Sequence, residues 1–238
     1  LVSLSSLPSS MDYFEPKLYK QASENPAWVL AMTKEIHALE SNNTWKVTEL
    51  PPGKKAISCK WVYKVKTHSD GSFERNKARL VVRGNTQKYG VDYEETFSPV
   101  VKMSTIRTLI AVAIHNNWNM FQLDVNNAFL HGDLHEEVYM KMPEGIPNPD
   151  GKVCRLLKSL YGLKQASRQW FSKLSFFLKT EGYTQSKNDY SLFLKKADGH
   201  FTAVAVYVDD LLVTGSNPTT VEQLKHQIHL TFGIKDLG

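Results

Sequence analysis

Cysteine is scarce in this chain: among 238 residues there are two, Cys59 and Cys154, far apart and in no C-x-x-C pair. That excludes a disulfide scaffold and a zinc ribbon, and it fits a reducing, intracellular compartment. No apolar run approaches the ~20 residues needed to cross a bilayer, so no membrane partner is expected. Leu1 to Ser10 lacks the basic segment that opens a signal peptide. No initiator Met stands at the start either, so the chain reads as excised from something longer. Neither G-x-x-x-x-G-K-[ST] nor G-x-G-x-x-G occurs, which removes the glycine-loop routes to phosphate binding. No internal repeat is apparent.

What is present is the composition of a globular protein, 42% hydrophobic and 11% aromatic, with enough chain for one large or two small domains. The net charge of +5 is unevenly spread. Between Lys46 and Lys88 stand 11 Lys or Arg against 3 Asp or Glu, so the remainder is net acidic. A basic block beside an acidic centre suits a polymer of phosphates, although a solvated charged face has the same composition.

The acidic centre is visible at Tyr207-Val208-Asp209-Asp210. Two adjacent carboxylates end the apolar run Thr202 to Val206, which has the β-branched and small-residue character of a buried strand. Leu211 to Thr214 is apolar again, so the acids sit in a tight turn. A hairpin turn tolerates Asp, but two adjacent acids repel unless a cation neutralises them. Met120 to Val125 reads as a short strand carrying Asp124, broken by Asn126-Asn127. Two strand ends side by side would bring Asp124 against Asp209 and Asp210. Three hard oxygen ligands at one spot suit a pair of Mg²⁺ ions, with Mn²⁺ as an alternative.

The remaining elements follow from periodicity and caps. Asn25-Pro26 opens a helix with Trp28, Met32, Ile36 and Leu39 at helical spacing. Cys59 to Lys66 alternates as a strand with Trp61, Tyr63 and Val65 on one face. Ser69-Asp70-Gly71 turns it back into a strand from Arg75 to Arg83, a basic hairpin. Ser104 is expected to cap a largely apolar, buried helix reaching about Asn116. An irregular stretch holds Pro143, Pro147 and Pro149. A long helix is expected from about Lys164 to Thr180, then the Phe201 strand. A last helix opens at Asn217-Pro218, with Val221, Leu224, Ile228 and Phe232 inward. His131 and His135 have metal-ligand spacing but no third ligand, and are expected to be surface histidines. The five scattered Trp suit core packing rather than a base-stacking platform.

Leu123 to Leu134, Lys158 to Trp170 (KSLYGLKQASRQW) and Tyr207 to Asp210 resemble the reverse transcriptase of copia-type LTR retrotransposons. Trp28 to Trp45, Cys59 to Lys66 and Lys77 to Gln87 fit the same family, so the resemblance covers roughly residues 15–238 in the family's order. It implies an α+β fold: a right-handed polymerase palm, ferredoxin-like with an antiparallel sheet, together with fingers. The thumb, primer-gripping hairpin and RNase H parts, which follow in the family, would lie past Gly238. The organisation implied is a loose tail at 1–14, an N-terminal and fingers region at 15–118, palm at 119–135, a connection at 136–180 and more palm at 181–238.

The resemblance also implies roles. Asp124, Asp209 and Asp210 would hold the metals and act in catalysis. The backbone around Val125 would approach a dNTP triphosphate, with Lys77 and Arg79 clamping its phosphates. Phe129 would be the sugar gate, its ring occupying the space of a ribose 2′-hydroxyl, unless it is simply core. Tyr161 and Gly162 would lie beneath the incoming base. Tyr207, Arg83, Lys164 and Gln165 would contact primer or template. The partners implied are an RNA template, a DNA or tRNA-type primer and dNTPs. The setting implied is cytoplasmic, within virus-like particles, or nuclear. Ser167 and Asn85 depart from the family's usual Pro and apolar residue, which would loosen a helix start and weaken a template contact. A rival reading is a catalytically inactive fragment that only binds nucleic acid.

Overall fold

The computed structural model describes residues 14–238. Residues 1–13 of the expected tail lie outside the described residues. The elements, in chain order, are α1 (Tyr19–Ser23), α2 (Pro26–Ser41), β1 (Trp45–Thr48), β2 (Cys59–Thr67), β3 (Phe73–Val82), α3 (Met103–His115), β4 (Met120–Val125), β5 (Tyr139–Lys141) and β6 (Val153–Leu156). There follow α4 (Ala166–Thr180), β7 (Thr184–Gln185), β8 (Leu192–Ala197), β9 (His200–Tyr207), β10 (Asp210–Gly215), α5 (Pro218–Phe232) and β11 (Ile234–Asp236). Three antiparallel sheets result: a six-stranded one in the order β11-β4-β10-β9-β8-β7, a three-stranded one in the order β1-β6-β5, and the β2-β3 hairpin. No described helix is long and apolar enough to cross a membrane.

The caps form where the residue types demand them. Asn25 Oδ1 accepts from the Ala27 amide ahead of α2, and Asn217 Oδ1 accepts from the Thr219 and Thr220 amides ahead of α5. Asp70 Oδ1 accepts from the Ser72 amide and hydroxyl, closing the hairpin turn that Gly71 enters at φ +83. The hairpin's outer amides are covered too: Glu15 accepts from the Val65 amide (2.9 Å) and Glu35 of α2 from the Leu80 amide (3.2 Å). That satisfies groups that would otherwise invite another strand.

Alternation of side chains across the large sheet gives it two different faces. Leu123, Val125, Val204, Val206, Leu211 and Val213 are buried in one core with α4 and α5, including Trp170, Leu174, Leu224 and Ile228. On the opposite face only Ala203, Ala205 and their neighbours are covered, by Leu109 and Ile106 of α3. A separate core packs Trp28, Leu39, Trp61, Tyr63, Leu80, Met140 and Leu156 between α2, the hairpin and the small sheet.

The long helix expected from about Lys164 to Thr180 forms over Ala166–Thr180 and is regular through Ser167. Two expectations about α3, its burial and its cap, are corrected. The helix expected from Ser104 to Asn116 forms, but it is not buried: only Leu109 and Ala113 are, while Met103, Ile110, Val112 and Ile114 are exposed. Its apolar residues surround the axis, so a single neighbouring layer can cover only a stripe of them. Ser104 does not cap it either. The N-cap is Lys102, and the capping oxygen comes from Asp189, 87 residues away, whose Oδ2 accepts from the Lys102 amide (3.0 Å) and the Thr105 hydroxyl (2.6 Å).

Asp189 is 6% exposed, and its other oxygen accepts from the Ser191 amide and hydroxyl. Burial raises its carboxyl, but these donors outweigh burial and bring it from 3.8 down to about 2. A depressed folded-state pKa stabilises above the unfolded value and is lost as pH falls through the folded one. Asp189 should therefore contribute about 2 kcal/mol at neutral pH, falling away between about pH 4 and pH 2. In urea melts, Asp189→Asn should lose roughly that stability at pH 7, and the gap from wild type should close toward pH 2.

Candidate active site at the ends of the central strands

Asp124 lies in β4 directly opposite Asp210 in β10. Antiparallel partners share a face, and Leu123 and Val125 point into the α4–α5 core, so both acids are turned to the more open face. Asp209 occupies the two-residue turn between β9 and β10, where Tyr207 pairs with Asp210. The Val125 amide donates to the Asp209 carbonyl at 3.0 Å, locking the turn to the end of β4. The register thus brings the three acids to one corner.

The turn is held in an unfavourable backbone state. Val208 has φ +55, a left-handed conformation that a β-branched side chain resists. Its carbonyl accepts from the Trp170 indole Nε1 at 2.8 Å, and Trp170 is 1% exposed, packed at right angles to Phe232. A buried helix side chain therefore fixes the turn that carries Asp209. Burial raises the Asp209 carboxyl above its usual range, and the neighbouring Asp210 and Asp124 charges push the same way.

Asn126-Asn127 ends β4 in the way its residues permit. Asn127 adopts φ +50, tolerable for Asn, and leads into a 3₁₀ turn at Ala128–His131. That turn carries Phe129, half-buried against both principal cores. Its ring centroid is 4.8 Å from that of Tyr161, and the Arg79 guanidinium carbon lies 4.3 Å from the Tyr161 centroid. Burial raises the Tyr161 hydroxyl; Arg79 opposes the shift, while Asp209 and Asp124 add to it. Phe129, Tyr161 and Arg79 therefore form a cluster, the two rings tilted by 56° and the guanidinium over Tyr161. Arg79 Nε is buried without a hydrogen-bond partner.

Gly162, at φ +93, has no room for a side chain: a Cβ there would lie 2.0 Å from the Val82 carbonyl oxygen, and one on Gly84 would lie 2.0 Å from the Gly162 oxygen. The Val82 amide donates to the Tyr161 carbonyl. Backbone contact thus holds the hairpin's Arg79 end against Tyr161. Farther along β3, Lys77 faces a cavity of about 530 Å³ bounded by α2, β3 and the Asn126-Asn127 turn. Burial lowers the Lys77 ammonium, helped by Arg79, Lys66 and Arg75.

Other expected site residues separate from this group. Gln165 is fully buried; its side chain donates to the Asp92 carbonyl and accepts from Gln87, so it ties segments together and cannot touch a primer or template directly. Lys164 is exposed, with its ammonium on the Gln87 carbonyl and the Tyr93 hydroxyl. Arg83 and Tyr207 are exposed. His135 is exposed as expected, whereas His131 is half-buried: its Nε2 meets the Asn126 carbonyl at 3.1 Å, between Trp170 and Phe232, and burial lowers its pKa.

Sequence reasoning missed Trp170, His131 and Glu35 as supports of the site. Each acts through a contact with chain more than a helical turn away, for which periodicity gives no signal. Trp170 had been read only as core.

As to metals, the donor set of three carboxylates, with excess negative charge around Asp209, fits a hard divalent cation. Among the described residues, no three His, Cys, Asp or Glu side chains already stand close enough to hold one. Asp210 Oδ1 instead accepts from Gln122 Nε2 at 3.2 Å.

A family model described as "Reverse transcriptase (RNA-dependent DNA polymerase)" matches residues 42–238. The chain is 44% identical over 230 residues to the Retrovirus-related Pol polyprotein from transposon TNT 1-94 of Nicotiana tabacum, covering 94% of this chain and 17% of that protein. It is 44% identical over 225 residues to the Pol polyprotein from transposon RE1 of Arabidopsis thaliana, covering 93% and 15%. The RE2 counterpart from the same plant is 43% identical over 225 residues, covering 93% and 16%. The chain spans less than a fifth of the length of these relatives.

If Trp170 holds the turn, Trp170→Phe should cost about 1–2 kcal/mol, the loss of a buried hydrogen bond that leaves a carbonyl unpaired. Val208→Asn, which suits the left-handed backbone, should cost nothing or stabilise by up to about 1 kcal/mol. Chemical denaturation of both variants checks the pair.

Proposed function

The chain belongs to the reverse transcriptase (RNA-dependent DNA polymerase) family carried by copia-type retrotransposon Pol polyproteins, and on that premise we propose that it is the polymerase core, extending a primer 3′-hydroxyl with dNTPs on an RNA template. The observation that carries the reading is the pairing of Asp124 with Asp210 next to the Val208-Asp209 turn, together with the Phe129–Tyr161–Arg79 cluster. In this reading the large sheet with α4 and α5 is the palm, and the β2-β3 hairpin with α2 belongs to the fingers.

Asp124, Asp209 and Asp210 would hold divalent metal, two Mg²⁺ ions by family precedent. When bound, metal makes the primer hydroxyl more acidic and offsets charge on the triphosphate. The residues of this chain do the rest. Arg79, its Nε unpartnered and its guanidinium over Tyr161, donates to phosphate oxygens. Lys77 and the Asn126-Asn127 backbone border the cavity that would take the triphosphate tail. Phe129 and Tyr161 present a ring surface beneath the sugar and base, and the Phe129 ring leaves a 2′-hydroxyl neither space nor partner. Tyr207, 54% exposed on the acids' face, lies along the primer end. The working compartment is intracellular, within the element's particles.

Primer extension on an RNA template tests this. Wild type should extend and Asp209→Asn should not, with template binding unchanged. Arg79→Ala should raise the KM for dNTP by about tenfold or more, the worth of a charge-assisted hydrogen bond. Phe129→Ala should lower discrimination against ribonucleotides by roughly 10- to 100-fold. Absence of extension by wild type, with nucleic acid still bound, would favour the binding-only fragment.

A further inference from the structure

A cluster of sulfur side chains lies outside the large sheet, where the hairpin meets the three-stranded sheet. Cys59 opens β2, Cys154 lies in β6, and Met142 directly follows β5. Ile57 bridges Met140, and Met140 is paired with Cys154, so these residues stand in one row across the strands. Cys59 and Met142 each come two residues after a member of that row, and alternation returns their side chains to its face. The contacts agree. The Cys154 thiol donates to Met142 Sδ at 3.6 Å. The Cys59 thiol donates at 3.6 Å to the Lys141 carbonyl, on the peptide that leads into Met142.

Buried cysteine and methionine ordinarily serve as small or pliable apolar filling, and Cys154, 0% exposed, packs in the core that α2 shares with the hairpin. Filling alone does not require sulfurs from three separate elements to converge. Nor is the spot sealed. Cys59 and Met142 are half-buried, and Met142 lines a cavity of about 630 Å³ with Lys141 and Val153, which gives an ion a way in. Burial pushes the Cys59 thiol up to about 11 and, with Cys59 adding to it, the Cys154 thiol up to about 12. Both are therefore uncharged at neutral pH and slow to oxidise.

The donor set decides which ion fits. Sulfurs held ~2.3 Å from one ion stand about 4 Å apart at trigonal or tetrahedral angles, so the Cys154 and Met142 sulfurs at 3.6 Å need only a small outward adjustment. Structural zinc takes about four ligands, and among the described residues no third His, Cys, Asp or Glu joins the thiols. Thiolate with thioether is a soft set, which selects copper(I). We propose that Cys59, Cys154 and Met142 form a binding site for a copper(I) ion, held by two thiolates and a thioether. On binding, both S–H bonds break, their protons pass to solvent and copper–sulfur bonds form, while the thioether donates a lone pair and no oxidation state changes. The bound ion ties β2 to the β5–β6 pair.

The test is titration of the reduced, oxygen-free chain with copper(I) against the coloured chelator bicinchoninate. Wild type is compared with Cys59→Ser, Cys154→Ala and Met142→Leu. The chain has no other cysteine, so each thiol is accounted for. Wild type should take a single ion and melt at a higher temperature with it bound. Each cysteine variant should lose the tight binding, and Met142→Leu, which keeps the volume, should bind severalfold more weakly. Circular dichroism should show every variant folded; if Cys154→Ala is not, the two variants at the half-buried positions decide the matter. Wild-type affinity in any folded variant, or no tight binding by wild type, would overturn the site. So would a second ion on wild type that each cysteine variant loses while keeping the first, because the thiols would then be acting separately. Primer extension does not enter, so the result stands apart from the polymerase reading.

Discussion

The Trp170 indole holding the Val208 carbonyl is the constraint on which the site depends. A valine at φ +55 is costly, and strain of that kind persists only where surrounding structure over-determines it. Three things do so here: the indole hydrogen bond from α4, the Val125 amide on the Asp209 carbonyl, and the ladder pairing of Tyr207 with Asp210. Together they leave Asp209 little freedom. An acid that must share a corner with two others would otherwise turn into water, away from their charge.

The same logic governs how the basic hairpin reaches the acids. Two glycines remove their side chains so that the Gly84 and Gly162 backbones can touch. Behind that contact, Gln87 and Gln165 pair as buried amides, and the Gln165 amide also donates to the Asp92 carbonyl. A buried, hydrogen-bonded polar network favours one arrangement, because a shift leaves a donor or acceptor dry and unpaired. Arg79 then comes to rest over Tyr161, and Lys77 beside the Asn126-Asn127 turn, without either being held by an ion pair.

Much of this was legible in the sequence, and the reason is local chemistry. Asn25-Pro26 and Asn217-Pro218 each start a helix because an apolar helical repeat follows them, whereas Asn148-Pro149, with none, starts no helix; Asp70-Gly71 turns a hairpin, and Asn126-Asn127 ends a strand. The two acidic strand ends could be matched because an antiparallel sheet offers few other ways to bring such segments together. What was not legible depended on chain far away. Ser104 looked like a cap, yet Asp189 supplies the oxygen, because a loop between β7 and β8 reaches the helix first. The α3 helix looked buried because its residues are apolar, but composition does not say how many layers will cover a helix. Gln165 looked available to nucleic acid and His131 looked superficial, yet Gln165 is buried and His131 half-buried, with partners, Gln87 and Asn126, that no periodic pattern could have named.

The central claim of the proposed reading is that the turn holds Asp209 beside the paired Asp124 and Asp210, so that the three would close on a cation together. An electron paramagnetic resonance titration with Mn²⁺ tests it most directly, on wild type, Asp209→Asn and Trp170→Phe. The account predicts saturable binding by wild type, loss of it in Asp209→Asn, and binding weakened severalfold in Trp170→Phe, which keeps every carboxylate but loses the hydrogen bond that orients the turn. Binding by Asp209→Asn as tight as wild type would contradict it.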